Sequence, residues 1–268
     1  AERLLWWCCD LSYLLIVVVG MAAGLMGAIL GIGGAIVMLP ATELLLHLPT
    51  ANAIGTTLFA VMFTAVSGAW GHYRQGNVNL AWSWRVGLGG VAGVLLGSYI
   101  FKEYLSSREQ LLTLLLAVLF AFMAIRMARD TIREIKNSHQ EQAQSEPQTP
   151  LWTMPLIGLV VGCLTGVLGL GGGFLIVPAM IWLYGASPYL AVGTTLLSIF
   201  PVTAVGAIAK LTQGFVVLPI ALLMGVGTLI GVQLGVPVTR WIKPVVFKAV
   251  FTLLFIFLAV NYLSSSIS

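Results

Sequence analysis

Gly31-Ile32-Gly33-Gly34 and Gly169-Leu170-Gly171-Gly172-Gly173 are one element written twice. Each cluster interrupts a long apolar run, and a proline, Pro40 or Pro178, follows six residues after its last shared glycine. Inside a helix glycine costs about 1 kcal/mol relative to alanine and proline about 3 kcal/mol. Two matched interruptions at that cost imply that backbone groups are wanted there. The match extends outward without a gap: adding 138 to a first-half number carries Gly55-Thr56-Thr57-Leu58 onto Gly193-Thr194-Thr195-Leu196, and Gln75-Gly76 onto Gln213-Gly214. Between residues 20 and 97, 26 of 78 such pairs are identical, concentrated on Gly, Pro, Thr and Gln rather than on interchangeable apolar types.

Composition decides the class. The 268 residues are 59% hydrophobic and 8% charged, with a mean hydropathy of +1.01, which leaves too little polar surface for a soluble globule. The apolar runs are long and nearly charge-free, unlike the alternating ten-residue strands of a transmembrane barrel, so the reading is an all-α integral membrane protein. A net charge of +4 is scattered over segment ends, where topology signals sit, and so implies no nucleic-acid partner. Cys8, Cys9 and Cys163 match no metal or disulfide framework and read as packing residues. No cleavable signal is evident in the first apolar run.

The expected segments are 11–30, the shorter 35–48, 52–71, 84–101 and 111–125, then 151–168, 174–184, 190–209, 217–236 and 245–263. Residues 1–128 form the first membrane repeat, 129–150 a polar linker and 151–268 the second repeat, with four or five hydrophobic segments in each. Gly89, Gly93 and Gly97 recur every four residues, the spacing that lets helices approach closely in lipid. Duplication with paired broken or re-entrant helices is the arrangement of many secondary transporters, whose site lies between the repeats. Four crossings per half would make the repeats parallel and five would make them inverted. With the linker in the cytoplasm, five crossings put nine of the 13 Lys and Arg residues inside and four crossings put eight there, which slightly favours inversion.

A broken helix in a membrane frees N–H groups at the positive end of a half-helix, an anion site that needs no charged side chain. The candidate ligands are therefore Gly31, Gly33, Gly34, Gly169, Gly171, Gly172 and Gly173, with Thr56, Thr57, Thr194 and Thr195 as hydroxyl donors and Asn52 beside the first pair. The alternatives are glycines that only permit tight helix crossing, and threonines bonded back to their own backbone or across to a neighbour. Gln75 and Gln213 stand in turns as cap or gate residues. Glu43, whose repeat partner is Ile181, is a candidate for proton coupling or, alternatively, an ion-paired segment end. Arg85 and Lys210 either draw anions toward the site or, as the favoured reading, snorkel to headgroups, and His72 shares the position of Lys210. No phosphate loop, metal-ligand spacing or nucleophile motif is present, so neither a cofactor, a metal nor a catalytic residue is expected.

The paired Gly-Ile/Leu-Gly-Gly, the proline six residues on and the later Ala-Ile/Val-Gly-Thr-Thr resemble the sulfite exporter TauE/SafE family of bacterial permeases, over nearly the whole chain. The resemblance implies an inner-membrane, multi-pass exporter of a small sulfur-containing anion such as sulfite or an organosulfonate. Energy would come from protons or the membrane potential. The partners are then a small anionic substrate and the lipid bilayer, with room for a homo-oligomer. A passive anion channel and, further off, a membrane-embedded enzyme are the alternatives.

Overall fold

The computed structural model of the protein describes residues 2–136, 149–238 and 244–267. Residues 137–148 of the expected linker lie outside them, as do residues 240 and 243 and the side chains of Arg3, Cys8, Cys9 and Lys248. Ten α-helices are found among the described residues: α1 (Glu2–Leu30), α2 (Ala35–Leu46), α3 (Thr50–Arg74), α4 (Leu80–Ile100), α5 (Glu109–Lys136), α6 (Met154–Leu168), α7 (Gly173–Tyr184), α8 (Pro188–Thr212), α9 (Leu218–Val238) and α10 (Pro244–Ile267). No described residue is in a strand, and seven stretches are long and apolar enough to cross a bilayer. Several helices outrun the apolar segments expected of them, because backbone hydrogen bonding continues into polar residues such as Arg74 and Lys136. The expected charged turn after α4 is partly a π-helical turn, Phe101–Leu105.

The interruptions fall at the glycines, while Pro40 and Pro178 lie inside α2 and α7. Gly31, Gly33, Gly34, Gly169, Gly171 and Gly172 all hold φ between 69° and 83°, the left-handed region that a side chain disfavours. That backbone turns the chain sharply. Ala41, Leu45 and Leu46 of α2 lie along Leu15, Ile16 and Val19 of α1, so α2 folds back antiparallel to α1. At 12 residues, or about 18 Å, α2 is shorter than the roughly 30 Å hydrocarbon core.

Ordered contacts fix the helix directions. Val17, Met21 and Leu25 of α1 meet Gly227, Gly231 and Gly235 of α9 in that sequence, so the two are parallel. Pro155, Leu159 and Cys163 of α6 meet Gly89, Gly93 and Gly97 of α4 in the same way. These glycines press against main-chain carbonyls, which is the close approach their spacing announces. Parallel pairing also joins α3 to α9, through Thr56 at Val217 and Ser67 at Gln233, and α4 to α8, through Ser83 at Thr194 and Gly90 at Val202. By contrast α3 and α8 are antiparallel, since Gly68 meets Leu196 and Gly206 meets Leu58. Thus α1, α3 and α9 point one way and α4, α6 and α8 the other.

Candidate functional site

The two glycine loops lie against each other. A side chain at Gly173 would strike the Gly31 carbonyl, and Val61 at the middle of α3 touches both Gly33 and Gly171. Ile199, its partner on α8, also reaches Gly33. The remaining contacts repeat at the 138-residue offset: Gly31 sits on Val192 and Gly169 on Ile54, while Gly34 sits on Ala23 and Gly172 on Val161. The loops are buried in protein on all these sides, as irregular backbone at membrane depth must be.

Backbone polarity is the chemistry of this place. The Gly34 carbonyl accepts from Val37 and Met38, and the Gly172 carbonyl from Leu175 and Ile176. Among the described residues no hydrogen bond reaches the N–H groups of Ile32, Gly33, Gly34, Ala35 and Ile36, nor those of Leu170, Gly171, Gly172, Gly173 and Phe174. Unpaired buried amides are rare and costly, typically about 1–3 kcal/mol each. Two such sets at helix N-termini, on loops that touch, therefore form a donor-rich centre suited to an anion. The carbonyl ends of α1 and α6 meet the same loops from the other side. No group of three or more His, Cys, Asp or Glu side chains able to hold a metal occurs among the described residues.

The threonines sit close by in sequence but are occupied. Thr56 Oγ1 accepts from the Val217 N–H at 3.0 Å, and Thr194 Oγ1 accepts from the Asn79 N–H at 3.0 Å, so each clasps the turn of the other half. Thr57 donates to the Ala53 carbonyl at 2.7 Å. Thr195 has only the Met180 sulfur, at 3.6 Å. All four are fully buried. Asn52 is half-buried one turn before Thr56. Gln75 and Gln213 end α3 and α8, and their amides donate to the Val236 and Ser98 carbonyls at 3.4 and 3.1 Å, again crossing between halves.

Glu43 lies on α2, away from the glycine loop. One carboxyl oxygen accepts from the Tyr262 hydroxyl of α10, and the other is buried with no partner. Sequence reading had no signal for Tyr262, because the pairing spans 219 residues. Arg85 is exposed, in keeping with snorkelling, but Lys210 is not: its side chain has no exposed surface. The shared polar position of His72 and Lys210 was the one sequence sign of this. His72 is equally buried, with Nε2 3.0 Å from the Ala28 carbonyl.

The family model for "Sulfite exporter TauE/SafE" matches residues 16–262. Among curated proteins, the chain is 31% identical over 239 residues to the probable membrane transporter protein YdhB of Bacillus subtilis, covering 88% of this chain and 94% of that one. It is 28% identical over 246 residues to the probable membrane transporter protein YunE of the same organism, covering 86% and 89%. It is 26% identical over 246 residues to the probable membrane transporter protein MJ0441 of Methanocaldococcus jannaschii, covering 86% and 87%. No solved structure matches.

Proposed function

The chain belongs to the sulfite exporter TauE/SafE family of membrane transporters, and from that premise we propose that it is a secondary exporter of a small sulfur-containing anion, such as sulfite or an organosulfonate, in the bacterial inner membrane. The observation that carries the anion reading is the pair of unbonded amide sets on the two touching glycine loops. The helix directions and the repeated contacts support an inverted pair of repeats, each with a re-entrant hairpin, meeting at those loops. As the loops touch, an anion enters between them only when they part, and rocking of one repeat on the other would supply that motion. Gly31, Gly33, Gly34, Gly169, Gly171, Gly172 and Gly173 let the anion approach the backbone. Thr195 is the threonine freest to turn a hydroxyl toward it. Thr56, Thr57, Thr194, Gln75 and Gln213 hold the frame, and Asn52 lines the approach along α3.

Glu43 is the proposed coupling carboxyl, held by Tyr262 and unmatched in the second half. Reconstitution in liposomes tests the whole reading. Sulfite or sulfoacetate flux that responds to an imposed pH gradient is expected, and Glu43→Gln keeps anion binding while losing that response. If no sulfur oxyanion moves, the substrate assignment fails. Flux that stays linear with concentration and indifferent to pH makes the protein a passive channel.

A further inference from the structure

At the corner where α8 ends beside α4, a lysine is buried that the glycine loops do not use. Lys210 Nζ makes no hydrogen bond; it lies 2.9 Å from the Phe101 ring centroid and 6.0 Å from that of Phe215. Helices α3, α4, α6, α8 and α9 contain no Asp or Glu, and Glu103, in the turn that carries Phe101, is exposed, so no buried carboxylate stands in these walls. An aromatic face offsets about 2 kcal/mol for a desolvated cation, well short of the cost of burying an unpaired charge. An ammonium also brings three donors that ring faces do not satisfy.

Two more buried polar atoms without partners share the corner. They are Ser98 Oγ, three residues before Phe101, and Gln213 Oε1, three residues after Lys210. The Gln213 amide donates to the Ser98 main-chain carbonyl at 3.1 Å, which fixes the Gln213 side chain against this end of α4. Three buried polar groups without partners on the adjoining ends of α4 and α8 call for an explanation, and an unfilled ligand contact is one. Phe215 connects it to the loops: its ring packs edge-on against Phe101 at 5.1 Å, its carbonyl abuts Gly55, and the neighbouring Ile54 covers Gly169.

Resting on the anion-transporter reading above, we propose that Lys210 is the charged ligand of the transported oxyanion, which its ammonium and the Ser98 hydroxyl hold beside the second glycine loop. In the matching corner of the first half, His72 Nε2 is bonded to the Ala28 carbonyl and Nδ1 is buried without a partner, so that corner holds an imidazole and no ammonium. The lysine ligand is therefore one-sided although the backbone is duplicated.

The test uses purified full-length protein with sulfite, sulfoacetate, sulfate, acetate and chloride, reading the rise in melting temperature and the affinity for each. At least one anion should stabilise the wild type. Lys210→Met should weaken that binding about tenfold or more, Lys210→Arg should keep part of it, and Ser98→Ala should weaken it about fivefold. Without anion, Lys210→Met should melt no lower than wild type, since a buried unpaired amine has been replaced by an apolar chain. A lysine with a merely structural role predicts the opposite. The proposal is overturned if Lys210→Met, or Ser98→Ala and Lys210→Arg where the Met variant does not fold, binds with wild-type affinity, or if no anion in the panel stabilises the wild type. If sulfate or acetate shows the Lys210-dependent shift and the sulfur(IV) and sulfonate anions do not, the substrate assignment fails while the role of Lys210 stands.

Discussion

His72 and Lys210 occupy the same place in the two halves and meet different fates. The imidazole finds the Ala28 carbonyl, whereas the ammonium finds only the faces of Phe101 and Phe215. Around them the backbone contacts are nearly interchangeable, down to Thr56 clasping Val217 as Thr194 clasps Asn79. What was duplicated is the frame, because glycine turns and cross-bonds are set by main-chain geometry. Ionisable groups differ between the halves: the position matching Lys210 holds His72, and the one matching Glu43 holds Ile181. If the proposals above hold, anion chemistry belongs to the second half and proton chemistry to the first.

The largest expected effect tests how strictly the frame is matched. Ala35 and Gly173 are partners, yet only Gly173 lies against the Gly31 carbonyl. Gly173→Ala should leave little folded, monodisperse protein, whereas Ala35→Gly should cost only about 0.5–1 kcal/mol, the entropic penalty of glycine in a helix. Comparable losses from both changes would show that the two loops do not meet backbone to backbone.

Next come the clasps. Thr56→Val and Thr194→Val each strand a turn N–H and should each lower stability by about 1–3 kcal/mol. Because the two sites share no partner, the double variant should show the sum, read from denaturation of purified protein. A double variant that melts like wild type but loses anion binding would return these hydroxyls to the ligand. Tyr262→Phe should follow, with about 1–2 kcal/mol lost as Glu43 gives up its partner. The same change in a Glu43→Gln background should cost less, and equal costs would separate Tyr262 from Glu43. The smallest effect belongs to Arg85→Gln, an exposed position, with stability expected within about 0.5 kcal/mol of wild type.

Much of the fold was legible because its determinants are local. The apolar runs announced helices, and the clusters at 31–34 and 169–173 announced breaks. The four-residue glycine stripes announced helix contacts that lie on main-chain carbonyls. Less of the candidate site could be read. Thr56 and Thr194 read as ligand donors or as bonded within the protein, and the partner of each, an N–H more than 100 residues away, could not be read. Lys210 sat near a segment end and was expected to reach the headgroups; the burial of α8 against α3 and α4 denies it that route. Tyr262 and Ser98 carried no local sign at all.

The sequence by itself determined membrane residence, the duplication and the places where the backbone must turn, since hydropathy, identity at a fixed offset and glycine's tolerance of positive φ are properties of the chain. Only the tertiary structure decided the relative directions of the packed helices, the meeting of the two glycine loops, the clasps between halves and the isolation of Lys210. Those depend on which residues distant in sequence are brought together, and hydrogen-bond satisfaction is settled by that proximity rather than by residue type.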